Sequence, residues 1–251
     1  MAIQGGDALG GSGEPKVKFE VIGDAWKLFS QQAGAWVVAM LVFLVVMVGV
    51  IVVSLMVLGA LGMATKGRSA EPSAFSFLAS MLAMLPLTII ILLTVMTLSG
   101  GLYRMALKQI RGQEISVGDM FSVTDVLPAL IVASLVVAVE VSIGNIFCYV
   151  PGIIAGGLLM FAVPFAVDYR GSGMEAVSGS FSTLSGQWLL AALFYLVVSL
   201  IGGAGALARG IGVLVTTPLM ILSIALLYND FFPPEVMSAP VTDPLPPGPQ
   251  M

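Results

Sequence analysis

The 251-residue chain has no histidine and a single cysteine, Cys148. Without histidine, the commonest general base and the commonest metal ligand are both missing. Serine hydrolysis of the triad type then has no base to draw on. One cysteine excludes an internal disulfide and a cysteine-built metal centre. Charge is scarce as well: 10% of residues are Asp, Glu, Lys or Arg, against about 25% in an ordinary soluble domain. Such a chain cannot cover a globule with polar surface. Its net charge is −4 and no basic stripe is present, which excludes a nucleic-acid footprint. The expectation is a protein that is not an enzyme, with no catalytic residues, cofactor, metal or nucleic-acid partner.

Apolar sequence is abundant. Hydrophobic residues make up 58% of the chain, and its mean hydropathy is +1.05. Several apolar runs exceed the roughly 18 residues that a spanning helix requires. Six segments stand out, near 34–61, 77–102, 127–150, 152–167, 188–203 and 207–228. Only helices cross lipid as single segments without stranding backbone polar groups. The predicted fold is therefore an all-α polytopic membrane protein with six transmembrane helices arranged as three hairpins. Residues 1–16, rich in Gly, have no apolar core and read as a flexible tail rather than a signal peptide. Residues 229–251 carry repeated proline and read as an extended tail. Within that tail "PLPP" is a permissive motif for docking on an aromatic groove.

Each hairpin is preceded by a moderately polar lead-in. "FSQQAGAW" (29–36) and "FSTLSGQW" (181–188) share the frame F-S-x-x-x-G-x-W, and Phe121-Ser122 repeats its first step. Before the first span, Phe19, Ile22, Trp26 and Phe29 fall on one helical face, as in an amphipathic helix lying at the lipid–water boundary. Trp26, Trp36, Phe181 and Trp188 are the expected interfacial anchors. The second helix of each hairpin carries an interior proline: Pro86, Pro164 and Pro218. The layout predicts three parallel repeats.

Basic residues set the orientation. With the N-terminus inside, Lys16, Lys18, Lys27, Arg104, Lys108, Arg111 and Arg170 are inside, and Lys66, Arg68 and Arg209 are outside. That asymmetry places both termini in the cytoplasm and the chain in the bacterial cytoplasmic (inner) membrane.

Few residues suggest chemistry. Glu140 sits mid-span in "LVVAVEVSIGN" with no basic neighbour in sequence, and an intramembrane carboxylate is a functional candidate by default. It shares a face with Ala133, Gly144 and Phe147. One reading gives it a hydrogen bond to a carbonyl or hydroxyl of a neighbouring helix, another makes it a proton or cation site, and a third moves the helix boundary toward it. Arg104, Lys108 and Arg111 share one face at i, i+4 and i+7. They are candidate contacts for lipid phosphates, or plain positive-inside anchors. "GGAGALARG" (202–210) imitates a dinucleotide fingerprint but lacks the preceding strand that fingerprint needs. "GIIAG" (152–156) has small-xxx-small spacing suited to close helix contact. The fifteen methionines are scattered and read as packing rather than copper ligands.

Residues 149–188 carry a resemblance, in Pro151-Gly152, Pro164, Asp168, Glu175-Ala176, Ser180, Gly186 and Trp188. So does "GLYRMALKQIRGQEISVGDMF" upstream, so that about a quarter of the chain is covered. These stretches resemble a broad group of bacterial membrane proteins that includes the membrane domain of some glycerophosphoryl diester phosphodiesterases. The resemblance implies six membrane helices with amphipathic lead-ins. It does not imply catalysis, which in those enzymes belongs to a separate soluble domain for which the spans leave no room. Group members often have Arg or Lys in the helix before the fifth span, where this chain has "SGSFSTLSGQW". The expected function is a structural or accessory subunit of the inner membrane. The alternatives are a small-solute or proton-coupled transporter using Glu140, with the three prolines as hinges, and a lipid-handling protein. The expected partners are membrane lipids and other membrane proteins or a second copy.

Overall fold

A computed structural model describes residues 15–66, 74–146, 149–169, 171–207 and 211–234. Among these all regular structure is helical, and six helical segments are long and apolar enough to cross a membrane. The all-α, six-span expectation therefore holds.

A short helix α1 (Val21–Gln31) leads into the 34-residue α2 (Ala33–Lys66), and the 37-residue α3 (Ala74–Ile110) returns. Helix α3 ends in a glycine-capped turn. Gly112 takes φ +75° and donates to the Gln109 carbonyl at 2.9 Å, while Gln113 donates to Lys108 at 3.0 Å. A side chain is strained at that φ, which accounts for glycine there. A 3₁₀ turn, Val117–Phe121, then rests on α3. The contact is possible because Gly101 has no Cβ, whose place is taken by the Met120 carbonyl.

Helix α4 (Leu127–Ile146) is the third span. The fourth is divided into α5 (Val150–Leu159) and α6 (Ala162–Asp168). Pro164 lacks an N–H and crowds the preceding turn, so the helix opens around Met160 and Phe161. The buried hydroxyl of Ser180 fills the opening: it donates to the Leu158 carbonyl at 2.7 Å and accepts from the Phe161 N–H at 3.2 Å. Ser180 comes from α7 (Gly173–Ser185), which begins with a reciprocal cap between Ser172 and Glu175. Helices α8 (Trp188–Leu207) and α9 (Val213–Phe231) complete the bundle. Pro86 in α3 and Pro218 in α9 lie within unbroken helices, so of the three interior prolines only Pro164 accompanies a break.

Several boundaries move relative to the sequence reading. The expected second span lies within α3, which runs on to Ile110, and the sixth candidate span is Val213–Phe231, so both reach further toward the C-terminus than expected. Helix α9 continues past residue 228 because Phe231 and Phe232 are core residues. Phe232 packs edge-on to Phe165 at 5.1 Å, and Phe231 lies 5.5 Å from Phe161. The expected N-terminal tail is also pinned within its last residues. Gln187 donates to the Pro15 carbonyl and accepts from the Val17 N–H, each at 3.0 Å. With Lys18 lying 4.0 Å from Asp230, the start of the described chain and the end of α9 lie at one end of the bundle. Residues 1–14 and 235–251, including "PLPP", lie outside the described residues, as do Cys148, Arg170 and Arg209.

The core runs through that same end. Trp36, Met105, Met120, Leu130, Phe161, Phe165, Leu184 and Tyr228 are all fully buried there. The "GIIAG" glycines do allow close packing. Gly152 meets Gly144 of α4, and a Cβ on Gly156 would lie 2.5 Å from the ring of Tyr195 on α8.

Candidate functional site

Two clusters contain the residues singled out by sequence. The first is at the buried end. Because α3 continues to Ile110, Arg104 and Lys108 project from it on one side, and Arg111 follows in the capping turn. Each meets its own carboxylate, two from the α3–α4 connection and one from the end of α6. Arg104 makes a fork of two bonds to Asp125, at 2.8 and 2.9 Å, and also donates to the Ser122 carbonyl. Lys108 reaches Asp119 at 2.6 Å, and Arg111 forks onto Asp168 with two bonds of 2.7 Å. The Tyr228 hydroxyl donates to Asp168 as well, at 3.3 Å. Three cations and three carboxylates therefore line one polar pocket of about 340 Å³.

The electrostatics are those of a clasp. Burial by itself would raise the Asp119 carboxyl. The ammonium of Lys108 and the Ser116 N–H and hydroxyl outweigh it and hold Asp119 below the usual carboxylate range. Arg111 is driven above its ordinary value, chiefly by its hydrogen bonds to Asp168 and against the cost of its partial burial. The three bonded pairs tie α3 to the 3₁₀ turn, to the residues before α4 and to the end of α6. Any lipid phosphate approaching Arg104, Lys108 and Arg111 has to compete with carboxylates already in place. The sequence reading brought the three cations together and missed their partners, because Asp119, Asp125 and Asp168 are dispersed over fifty positions. Only the long fork side chains signalled that planar acceptors were needed.

The second cluster surrounds Glu140 on α4. Helices α4 and α5 touch at Gly144–Gly152 and diverge from there, leaving a pocket of about 440 Å³. Leu135, Val139 and Ile143 line it from α4, and Pro151 and Ala155 from α5. Glu140 forms part of the wall. Both of its carboxyl oxygens are enclosed, and neither has a hydrogen-bond partner among the described residues. Among the described residues, the hydrogen bond to a neighbouring helix that one reading of Glu140 expects is not made. Tyr195 on α8 is within electrostatic reach. Counting about 1.5 Å per residue from Leu127, Glu140 sits about 20 Å along α4 from the clasp end, well inside the span.

The expected anchors divide. Trp26, Phe181 and Trp188 are about half exposed, all close to the clasp end. Trp36 is a correction: it is fully buried, and its indole N–H donates to Gln109 at 2.7 Å. It cannot face headgroups, because α1 and α3 cover it. Helix α1 also presents a different face from the one expected. Val21, Ala25 and Phe29 are buried while Trp26 points outward, since the seam against α9 follows the i, i+4, i+8 line.

No family model matches the chain, and no solved structure does. The chain is similar to the uncharacterized protein Rv2560 of Mycobacterium tuberculosis, with 27% identity over 248 aligned positions covering 92% of this chain and 75% of the relative. It is similar to the same extent to the uncharacterized protein Mb2590 of Mycobacterium bovis.

Proposed function

We propose that this chain is a non-enzymatic protein of the bacterial inner membrane, acting as a structural or accessory subunit with its clasp end in the cytoplasm. Helix α2 carries this reading. Its apolar stretch Ala33–Ala60 has 28 residues, or about 42 Å at 1.5 Å per residue, against a hydrocarbon core of about 30 Å. Sinking all of it into lipid would take a tilt of about 45°, beyond the roughly 0–40° that spanning helices adopt. Trp36, Ala39 and Met40 fix its start in the core, so the surplus lies at the opposite end. There Val53, Leu55 and Met56 are 60%, 61% and 68% exposed. Apolar surface of that kind outside hydrocarbon favours cover by another protein, a membrane partner or a second copy. The cytoplasmic placement is supported by Lys16, Lys18, Lys27, Arg104, Lys108 and Arg111 gathering at the clasp end.

A photo-crosslinking residue at Met56 tests the subunit reading in intact membranes. A discrete protein adduct is expected there, and none at Leu190, an exposed position of α8. Lipid-only adducts at both positions would overturn it. Turnover of lipid phosphodiesters or nucleotides by the purified protein would overturn its non-enzymatic part.

The enclosed, unpartnered carboxyl of Glu140 favours a second reading, transport of a small solute in exchange for a proton. Uptake into liposomes that is unchanged by Glu140→Gln would remove it.

A further inference from the structure

We propose that the pocket between α4 and α5 binds an apolar monovalent cation, such as a bulky aromatic phosphonium or ammonium ion, entering sideways from the bilayer and pairing with Glu140. This inference rests on the transport reading of Glu140 and names its substrate class.

Shape and charge point to the same ligand. The pocket of about 440 Å³ falls within the roughly 300–1,000 Å³ of small-molecule sites. Its walls are almost wholly apolar, and Glu140 is the charged residue among them. Such walls exclude strongly hydrated ions, because nothing replaces the lost water shell. A cation whose charge is wrapped in hydrocarbon or aromatic groups gives up little hydration, fits the walls and complements the carboxyl. Leu135, Val139 and Ile143 are exposed at the mouth, so the opening faces lipid, where such cations concentrate.

The carboxyl oxygens are enclosed, so pairing with a cation requires the side chain to turn into the pocket. Its oxygens hold no hydrogen bond among the described residues, and the side chain has three rotatable torsions, so turning it into the pocket exchanges staggered rotamers and breaks no bond. Among the described residues, the Tyr195 hydroxyl on α8 is a titratable group in electrostatic contact with it. Arg104, Lys108 and Arg111 are held in the clasp. No described cation of this chain therefore competes for the site.

Binding of tetraphenylphosphonium to the full-length protein in lipid nanodiscs, measured by equilibrium dialysis, tests this. Triphenylphosphine oxide serves as the uncharged comparison. Saturable binding of the cation is expected, with at least about tenfold preference over the neutral compound and at least about tenfold loss in Glu140→Gln, the range measured when one partner of a close charge pair is removed. Glu140→Asp should retain most of the binding. Ala155→Phe, which fills the pocket and leaves the carboxyl in place, should abolish it. Equal binding of the cation and the neutral compound, undiminished binding in Glu140→Gln, or no saturable binding to the wild type would each overturn the proposal. Cation binding without uptake into liposomes leaves the site standing and removes transport. Glu140-dependent uptake of another solute with no cation binding does the reverse.

Discussion

The indole N–H of Trp36 donates to the side-chain oxygen of Gln109 at 2.7 Å, and the amide nitrogen of Gln109 donates to the Leu28 carbonyl at 2.6 Å. One buried glutamine thus joins α1, α2 and α3. Trp36→Phe reduces the bicyclic indole to a single ring and leaves the Gln109 oxygen without a donor, so a cavity cost adds to the about 1–3 kcal/mol for a buried unsatisfied acceptor. The thermal midpoint in detergent, followed by circular dichroism at the helical minima, should fall. Adding Gln109→Leu should cost less than the sum of the two single changes, since the orphaned acceptor disappears with it. An unchanged midpoint in Trp36→Phe would show that the bond contributes nothing.

The repair of the fourth span by Ser180 makes a sharper prediction. Ser180→Ala removes a donor and an acceptor from the opening at Leu158 and Phe161. It should destabilise the bundle by about 1–3 kcal/mol, as expected for unsatisfied buried backbone groups. The opening exists because Pro164 cannot continue the helical ladder. In a Pro164→Ala background the ladder can close, so the Ser180→Ala penalty should shrink. Unfolding of the four proteins in a double-mutant cycle measures the coupling. Strict additivity would mean that the hydroxyl and the proline act independently.

These relationships explain how far the sequence could be read. Spans are legible because hydropathy summed over about 20 residues is a local property. The alignment of Arg104, Lys108 and Arg111 is legible because helical spacing is local too. Their partners are not. Asp119 and Asp125 come from the α3–α4 connection and Asp168 from the end of α6, and only the packing of the 3₁₀ turn against Gly101 and of α6 against α3 brings them to one pocket. The burial of Trp36 is hidden for the same reason. A tryptophan at the start of a span looks like a headgroup anchor until α1 folds back over it. The length of α2 was visible, whereas the exposure of Val53, Leu55 and Met56 depends on where the other helices pack.

Acid should loosen the clasp. Asp119 is held below its ordinary value near 3.8, so its contribution is complete above that value in the unfolded chain. It is lost as pH falls through the lower folded value. Lys108 and Asp119 are partly solvated, which limits the contribution to about 1 kcal/mol or less. Asp119→Asn should be less stable than the wild type at pH 7, and the gap between their melting points should close below about pH 4. Taking the difference between the two proteins removes the contributions of groups that both share. A gap that stays constant to pH 3 would mean that the lysine pairing does not stabilise the fold.

The three tryptophans offer a direct test of how the bundle sits in lipid. Trp26 and Trp188 are about half exposed near the clasp end, and Trp36 is fully covered. In vesicles of brominated lipid, bromine has to approach an indole closely to quench it. The double replacement Trp26→Phe/Trp188→Phe leaves Trp36 as the emitter, and its fluorescence should be quenched little at any bromine depth. Restoring either outer tryptophan should add a component quenched more by bromine near the glycerol backbone than by bromine near the chain ends, since indoles at a membrane interface sit at headgroup level. The comparison keeps Trp36 in every protein, so its bond to Gln109 stays intact and the fold is not perturbed. Strong quenching of Trp36 would require α1 to leave the bundle in lipid, and the Gln109 bridge would then break. Deep quenching of Trp188 would place the start of α8 inside the hydrocarbon and move the clasp away from the interface.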